Sequence, residues 1–286
     1  MNRLNWSQIK QQLSDRNALG LKLLFIFMVI YIISTGSDHK KIKLFLIVAG
    51  LFLVVFLVKK ITQPLLWYIF LTILISDLIC DYFVRANHHF LLIYITLLII
   101  IFLHNSKLED LITNIKLLLV IVLLFSGIQK LLSPQFISGD FYYYMINTGS
   151  FFKPILNFNQ DINDIIISNK AQIAELGILN PNALNTVKLQ NVIPNLDIIS
   201  RVYAWFSIAM ELITGLLILW KPKHLFTHIL FILLILGIFF TRLENGFMAL
   251  LAISGIWLTN NYMIRAIYTI LTIVFLSLIV THIGFY

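Results

Sequence analysis

The sequence predicts an all-α protein, a polytopic integral membrane bundle of eight or nine transmembrane helices with one long, partly folded extracytoplasmic loop. Of its 286 residues, 59% are hydrophobic and only 12% are charged, whereas soluble domains are about 45–50% apolar and about 25% charged. Apolar runs of the length that crosses a bilayer, about 17–25 residues, recur along the chain. Together these observations exclude a soluble domain with a single anchor.

The apolar runs predict the position of each span in order. The eighth run is short, and the seventh and eighth could form one hairpin, so eight spans is the alternative to nine. Spans one to five make up residues 19–132 and spans six to nine residues 199–286, in a single membrane domain. The predicted spans lie near residues 19–36, 42–58, 64–83, 89–104, 111–132, 199–220, 224–241, 244–259 and 263–283.

Two segments lie outside the predicted spans. Residues 1–18 are expected to form an interfacial amphipathic helix, with Trp6 at the headgroups. Residues 133–198 form the long polar stretch, and isoleucines within it predict a partly folded cap over one membrane face. Its aromatic run, residues 141–144, is typical of the interface.

The charge pattern indicates orientation. The basic residues are scattered in short loops, so the net charge of +8 points to membrane topology and not to nucleic-acid binding. Most of them fall inside if the N-terminus is cytoplasmic, while Lys40, Lys41, Lys43 and Arg85 argue against it. We therefore expect a multi-pass protein of the bacterial inner membrane with its N-terminus in the cytoplasm, and we keep the opposite orientation as the alternative.

Metal binding is not expected. The single cysteine, Cys80, excludes an intrachain disulfide and a cysteine-based metal site. His224 and His228 are four residues apart but have no carboxylate near them in the sequence. They are expected to form an interfacial face and not a metal site.

Ionisable residues at membrane depth are the candidates for function, because burying a charge in a bilayer is costly. Lys130 ends the fifth span and His88 begins the fourth, so antiparallel neighbours would place both at one membrane face. Lys130 either snorkels to the headgroups or faces the bundle, where burial favours a neutral amine that can take a proton. Of the adjacent His88 and His89, one is expected to face the bundle and the other the interface. Glu211 lies in the middle of a span, as structural glue or as part of a site.

Three short motifs recur in an order that points to a known family. Asp81 precedes His88 by seven residues, within Asn87-His88-His89-Phe90-Leu91. Then come Phe125-Ser126-Gly127-Ile128-Gln129-Lys130-Leu131 with Phe136-Ile137-Ser138-Gly139, and Glu211-Leu212-Ile213-Thr214-Gly215 before the basic turn at Lys221. Over about residues 64–258 this order resembles the membrane portion of the vitamin K-dependent gamma-carboxylase family, the HTTM (horizontally transferred transmembrane) group.

The resemblance implies quinol- and oxygen-dependent chemistry. In that family the matching lysine is the base that deprotonates a reduced naphthoquinone, a role that would fall to Lys130. His88 would orient the quinone oxygen, Phe136 would contact the ring, and Asp81, Asn87 and Glu211 would support them. The implied cofactor is reduced vitamin K or menaquinol, with no metal, and the implied partners are membrane lipid and a peptide or membrane protein.

Two departures from the family pattern keep other functions open. Residues 231–240 lack the histidine that the family carries after the acidic step, and Phe136 stands where the family usually has tryptophan. The first alternative is a non-catalytic membrane subunit or maturation factor that keeps the fold without the chemistry. The second is a lipid-binding or transport protein, for which inverted repeats and broken helices would be the signature.

Overall fold

The described part of the chain is built from helices. The computed structural model describes residues 11, 13–34, 63–83, 87–156, 159–179, 186–281 and 283. The helices are α1 (Arg16–Ser34), α2 (Pro64–Cys80), α3 (Asn87–Asn105), α4 (Leu108–Leu132), α5 (Pro134–Ile137), α6 (Asp140–Asn147), α7 (Lys153–Leu156), α8 (Gln160–Ile178), α9 (Leu196–Trp220), α10 (Leu225–Arg242), α11 (Asn245–Leu258) and α12 (Tyr262–Val280).

Six of these helices, α1, α3, α4, α9, α10 and α12, are long and apolar enough to cross a membrane. This confirms the predicted class, an all-α integral membrane protein with several spans. Helices α2 and α11 are also apolar but shorter, at 17 and 14 residues. The predicted span at 42–58 and most of the predicted interfacial helix at 1–18 lie outside the described residues.

The chain divides into two compact units, and the division falls within α4, α9 and α10. The first unit contains residues 1–120, 217–235 and 243–286. The second contains residues 121–216 and 236–242. The long polar stretch at 133–198 therefore falls within the second unit, where its described residues include α5 to α8. Its extracytoplasmic position stays a prediction.

Helix α11 lies at the centre of the first unit. Nearly all of its 14 residues are buried, and it packs against α1, α3 and α12. A helix of this length spans only about 21 Å, less than the ~30 Å hydrocarbon core of a bilayer. Since protein and not lipid surrounds α11, its length does not have to match the bilayer. Gly255 allows close packing here, because a Cβ on it would lie 2.6 Å from the Tyr268 ring.

The core of the second unit is aromatic and aliphatic. Tyr142, Ile146 and Phe151 are buried together with Ile166 of α8 and residues at the start of α9. Gly139 joins α5 to α6 with a φ of +86°, and a Cβ there would lie 2.6 Å from the backbone nitrogen of Arg201. Glycine is the residue that tolerates both the left-handed conformation and this close approach.

Two buried asparagines hold the extended segment that leads into α9. The Asn169 side-chain amide donates to the carbonyls of Asn147 (3.0 Å) and Gln190 (2.9 Å), and its oxygen accepts from the Gln190 backbone N–H at 2.9 Å. The Asn147 side-chain oxygen accepts from the Val192 N–H at 3.0 Å. Side chains thus satisfy backbone groups that no helix or sheet satisfies in this segment, as burial requires.

The prediction that His224 and His228 together form an interfacial face is wrong for His228. His224 is exposed, but His228 is buried at 2% exposure. Its Nδ1 lies 3.1 Å from the Tyr268 hydroxyl of α12. Phe231, three residues further along α10, is fully buried as well, so His228 lies on the face of α10 that packs into the first unit.

Candidate functional site

The second unit joins two of the predicted site residues. Lys130 lies near the end of α4, and its Nζ is 2.5 Å from the Glu211 Oε1 of α9. The Lys130 side chain is 16% exposed and that of Glu211 6%. Of the two sequence interpretations of Lys130, the structure has the one in which the lysine turns inward and not toward the headgroups.

Two glycines bring α4 and α9 close enough for this pair to form. A Cβ on Gly127 would lie 2.6 Å from Leu212 Cδ2, and one on Gly215 would lie 2.9 Å from Leu124 Cδ2. Small residues at a helix contact allow close approach in membrane proteins. Gly127 is three residues before Lys130, so the contact and the lysine lie on the same face of α4.

A hydroxyl relay extends the pair into the loop helices. Lys130 Nζ also donates to Ser207 Oγ at 3.4 Å, and Ser207 Oγ accepts from the Tyr142 hydroxyl at 3.0 Å. Close by, the Tyr203 hydroxyl bonds to Thr241 Oγ1. Because Thr241 gives its own hydrogen to the Gly237 carbonyl at 2.7 Å, Tyr203 is the donor of that bond.

Burial controls the protonation state of Tyr142, which lies in α6 outside the membrane-spanning helices. Burial raises the pKa of Tyr142 to about 12, because the phenolate form loses its hydration. The negative charge of Glu211 raises it further, while the hydrogen bond with Ser207 works in the opposite direction. At neutral pH Tyr142 therefore stays protonated and donates to Ser207.

The hydrogen-bonding capacity of the site is only partly used within the described residues. Glu211 Oε2 is buried and has no hydrogen-bond partner among the described residues, and the same holds for Thr214 Oγ1 one turn along α9. The Lys130 ammonium has three hydrogens, of which Glu211 and Ser207 take two. The Glu211 Oε2 acceptor and the third hydrogen of the Lys130 Nζ donor are therefore left next to each other.

Phe136, predicted to contact a cofactor, lies beside this relay. Its ring centroid is 4.4 Å from that of Phe141 and 6.0 Å from that of Tyr142. It is half-buried and packs on the core of the second unit. Phe136 thus contributes apolar surface next to the tyrosine that donates to Ser207.

The predicted histidine site belongs to the first unit. His88 is buried, at 8% exposure, with its ring stacked 6.4 Å from the Phe247 ring, and its Nε2 has no hydrogen-bond partner among the described residues. Its neighbour His89 is also buried, with Nδ1 3.0 Å from the Tyr31 hydroxyl and Nε2 2.9 Å from the Leu74 carbonyl.

The expectation that one of these histidines faces the interface is wrong. Helix α3 packs against both α2 and α11, and at its start His89 bonds to Leu74 of α2 while the His88 ring stacks on Phe247 of α11. Both neighbouring side chains can therefore turn inward. The His89 Nε2 donates to the Leu74 carbonyl and so joins α3 to α2. Of the two histidines, His88 is the one with a ring nitrogen, Nε2, that has no hydrogen-bond partner among the described residues.

The acidic residues before α3 are also in the first unit. Asp77 is buried at 4% exposure. Asp81 directly follows α2, and its backbone N–H donates to the Asp77 carbonyl at 3.0 Å. Asn87 begins α3, but its side chain lies outside the described residues. His88 and Lys130 fall in different units, so their predicted convergence on one membrane face stays a prediction. Within the described ranges no three His, Cys, Asp or Glu side chains are grouped to hold a metal ion.

The hydroxyl residues of the site were not predicted from the sequence. Ser207 lies one helical turn before Glu211, so the spacing of four residues already placed it on the same face as the carboxylate. Tyr142 was assigned to the interface with its aromatic neighbours, yet it is buried, while Tyr144 is 46% exposed. Only the packing of α6 distinguishes these two tyrosines.

Comparisons with models of known protein families, with characterised proteins and with solved structures gave no match to this chain.

Proposed function

We propose that the protein is a quinol- and oxygen-dependent membrane enzyme of the gamma-carboxylase-like type, with Lys130 as its base and Glu211 as the group that exchanges protons with it. The observation that supports this most directly is the Lys130–Glu211 pair, 2.5 Å apart with a buried carboxylate oxygen left over. Ionisable groups inside a membrane helix bundle are costly, which favours a functional role.

The donors and acceptors of the site fit a hydroxyl-bearing ring. A hydroxyl group both donates and accepts, so it can donate to Glu211 Oε2 and accept the remaining hydrogen of Lys130 Nζ. Phe136 and Phe141 supply apolar surface of the kind that lines small-molecule sites. When bound, a reduced naphthoquinone would supply an acidic hydroxyl and the reducing electrons for reaction with O2.

The pair gives Lys130 a route to its neutral form. Moving one proton from Nζ to Oε1 turns the ion pair into a neutral amine and a neutral acid. The amine can then take a proton from a neighbouring hydroxyl. Ser207, held by Tyr142, fixes the position of Nζ during this exchange.

The proposed arrangement in the membrane has nine spans or eight. Nine spans result from the six long helices, the two shorter apolar helices and the predicted span at 42–58, and eight if α10 and α11 form a single hairpin. The protein lies in the bacterial inner membrane with its N-terminus in the cytoplasm, and the HTTM resemblance is its family assignment. The partners are membrane lipid, a quinol and a peptide or membrane-protein substrate.

The alternative is a non-catalytic subunit or maturation factor. The observation that favours it is that Lys130 joins α4 to α9 through Glu211 and Ser207, as a purely structural ion pair would. The missing histidine in residues 231–240 points the same way.

A quinone epoxide assay separates the two. The purified protein would be supplied with menaquinol and O2, and quinone epoxide would be sought by mass spectrometry. Lys130→Arg is the sharp variant, because it keeps the positive charge but arginine does not deprotonate in proteins. We expect epoxide from the wild type and from the exposed-lysine control Lys188→Ala, and none from Lys130→Arg or Lys130→Ala. No epoxide from a well-folded wild type would reject the enzyme in favour of the subunit.

A further inference from the structure

A groove of about 290 Å³ opens in the first unit where several helices begin or end. Arg16 at the start of α1, Lys116 in α4, Lys223 in the turn between α9 and α10, and Leu258 at the end of α11 line it. The ends of membrane helices lie at the level of the lipid headgroups. The groove is therefore placed where the polar part of a lipid is found.

The groove has a surplus of positive charge. Arg16, Lys116 and Lys223 line it together with one carboxylate, Glu109. The Arg16 guanidinium is fixed by bonds to Asn260 Oδ1 at 2.9 Å and to the Trp257 carbonyl at 3.5 Å. Among the described residues neither lysine has a carboxylate oxygen within 4 Å of its ammonium. Three cations against one anion leave this cleft two charges positive.

We propose that this groove binds the phosphate group of an acidic phospholipid headgroup. Arginine and lysine are the side chains that bind phosphate, through charge-assisted hydrogen bonds. Ile112 and Leu258 add apolar surface beside the cations, which suits the glycerol and the first methylenes of a lipid better than a free ion. Basic pockets between membrane helices are a known form of headgroup site.

The groove is large enough for a lipid headgroup. Its volume of about 290 Å³ is many times the ~10–15 Å³ that a single water needs. This leaves room for a phosphate and its glycerol, while the acyl chains would lie along the apolar outside of the helices. This binding site is independent of the chemistry proposed for Lys130 in the second unit.

Lipid titration with native mass spectrometry tests the site. The delipidated protein in detergent would be titrated with phosphatidylglycerol, with phosphatidylcholine and with inorganic phosphate. The variants are Lys116→Gln, Lys223→Gln and their double; Lys170→Gln/Lys188→Gln, at two exposed lysines outside the groove, makes the same change in net charge. We expect saturable binding of phosphatidylglycerol that weakens about fivefold for each groove lysine removed and hardly changes in the control.

Glu109→Gln keeps the test decisive if the double variant does not fold. Removing the one carboxylate of the groove should tighten phosphatidylglycerol binding a few fold, an effect that damage to the fold would not produce. If phosphatidylglycerol binding weakened equally in the Lys170→Gln/Lys188→Gln control, the effect would be general charge attraction, and the proposed site would be overturned. Saturable binding of inorganic phosphate without binding of phosphatidylglycerol would overturn its assignment to lipid.

Discussion

The charges of Lys130 and Glu211 should behave as one coupled pair. Removing either partner leaves the other charge buried and unpaired, which costs about 3 kcal/mol at the lower end of the range for buried pairs. We choose the lower end because the Lys130 side chain keeps 16% exposure. Lys130→Met and Glu211→Leu should each destabilise the protein by about this amount, as measured by unfolding in mixed micelles with increasing SDS.

The double variant Lys130→Met/Glu211→Leu should cost less than the sum of the singles, by about 1–3 kcal/mol of coupling. Lys188→Met, at an exposed position, is the matched control and should change stability little. Additive single effects would show that the two side chains do not interact in the folded protein.

Tyr142 gives a pH dependence in the alkaline range. Its pKa is raised from about 10 in the unfolded chain to about 12 in the fold, so the folded state holds the proton more tightly. The stability from this difference is fully present below pH 10 and is lost as the pH rises toward 12. Between these values the wild type should lose about 2–3 kcal/mol more than Tyr142→Phe, measured by unfolding at each pH.

Other tyrosines also ionise at alkaline pH, so the comparison needs a second variant. Tyr144→Phe removes a hydroxyl from an exposed neighbour on the same helix. It should follow the wild type across the range. If Tyr142→Phe also followed the wild type, burial would not be holding the proton on Tyr142.

At the scale of helices, the crossing of α4 and α9 depends on Gly127. Gly127→Ala would put a Cβ 2.6 Å from Leu212 Cδ2, so the leucine or the helix has to move, at a cost of about 1–3 kcal/mol. The displaced α9 would also lengthen the Lys130–Glu211 contact. We expect lower thermal stability in detergent, together with reduced coupling in the double-variant cycle of this pair.

Gly237→Ala is the matched control for this prediction. Gly237 is also a helical glycine of the second unit, but nothing lies within 4 Å of its Cβ position. The substitution should be neutral or slightly stabilising, because alanine favours helix over glycine. Equal destabilisation by both alanines would rule out the close approach of α4 to α9.

The transmembrane helices could be predicted from the sequence where their apolar runs are continuous. Helices α1, α4 and α12 fall where long apolar runs lie, since a run of that length admits one structure in a bilayer. The arrangement of the loop helices could not be read from the chain. It depends on bonds such as that from Asn169 to Gln190, 21 residues apart, which have no periodicity.

The site was only partly predictable for the same reason. Lys130 and Glu211 stood out because charge within an apolar run is costly, and each was singled out without its partner being known. Their pairing depends on the contact of α4 with α9 at Gly127 and Gly215, which joins positions 81 residues apart. The inward turn of both His88 and His89 likewise required knowing that helices flank α3 on two sides.

At the scale of the whole molecule, the topology can be tested with the single cysteine. Cys80 is exposed and is the one cysteine of the chain, so Cys80→Ser gives a cysteine-free background. New cysteines would replace Ser168 in α8 and Lys223 after α9, both exposed. In intact bacterial cells a membrane-impermeant maleimide should label Ser168→Cys, and should label Lys223→Cys only after permeabilisation.

The reason is that α9 separates these two positions. Its 25 residues span about 37 Å, longer than the ~30 Å hydrocarbon core, so its two ends must lie on opposite faces if it crosses the bilayer. From the excess of lysine and arginine on the side of Lys223 we predict that this side faces the cytoplasm. The reverse labelling would place the N-terminus outside, and with it the phosphate groove. Labelling of both cysteines from the same side would mean that α9 does not cross the membrane, and Lys130 and Glu211 would then have to be explained as a buried pair outside the bilayer.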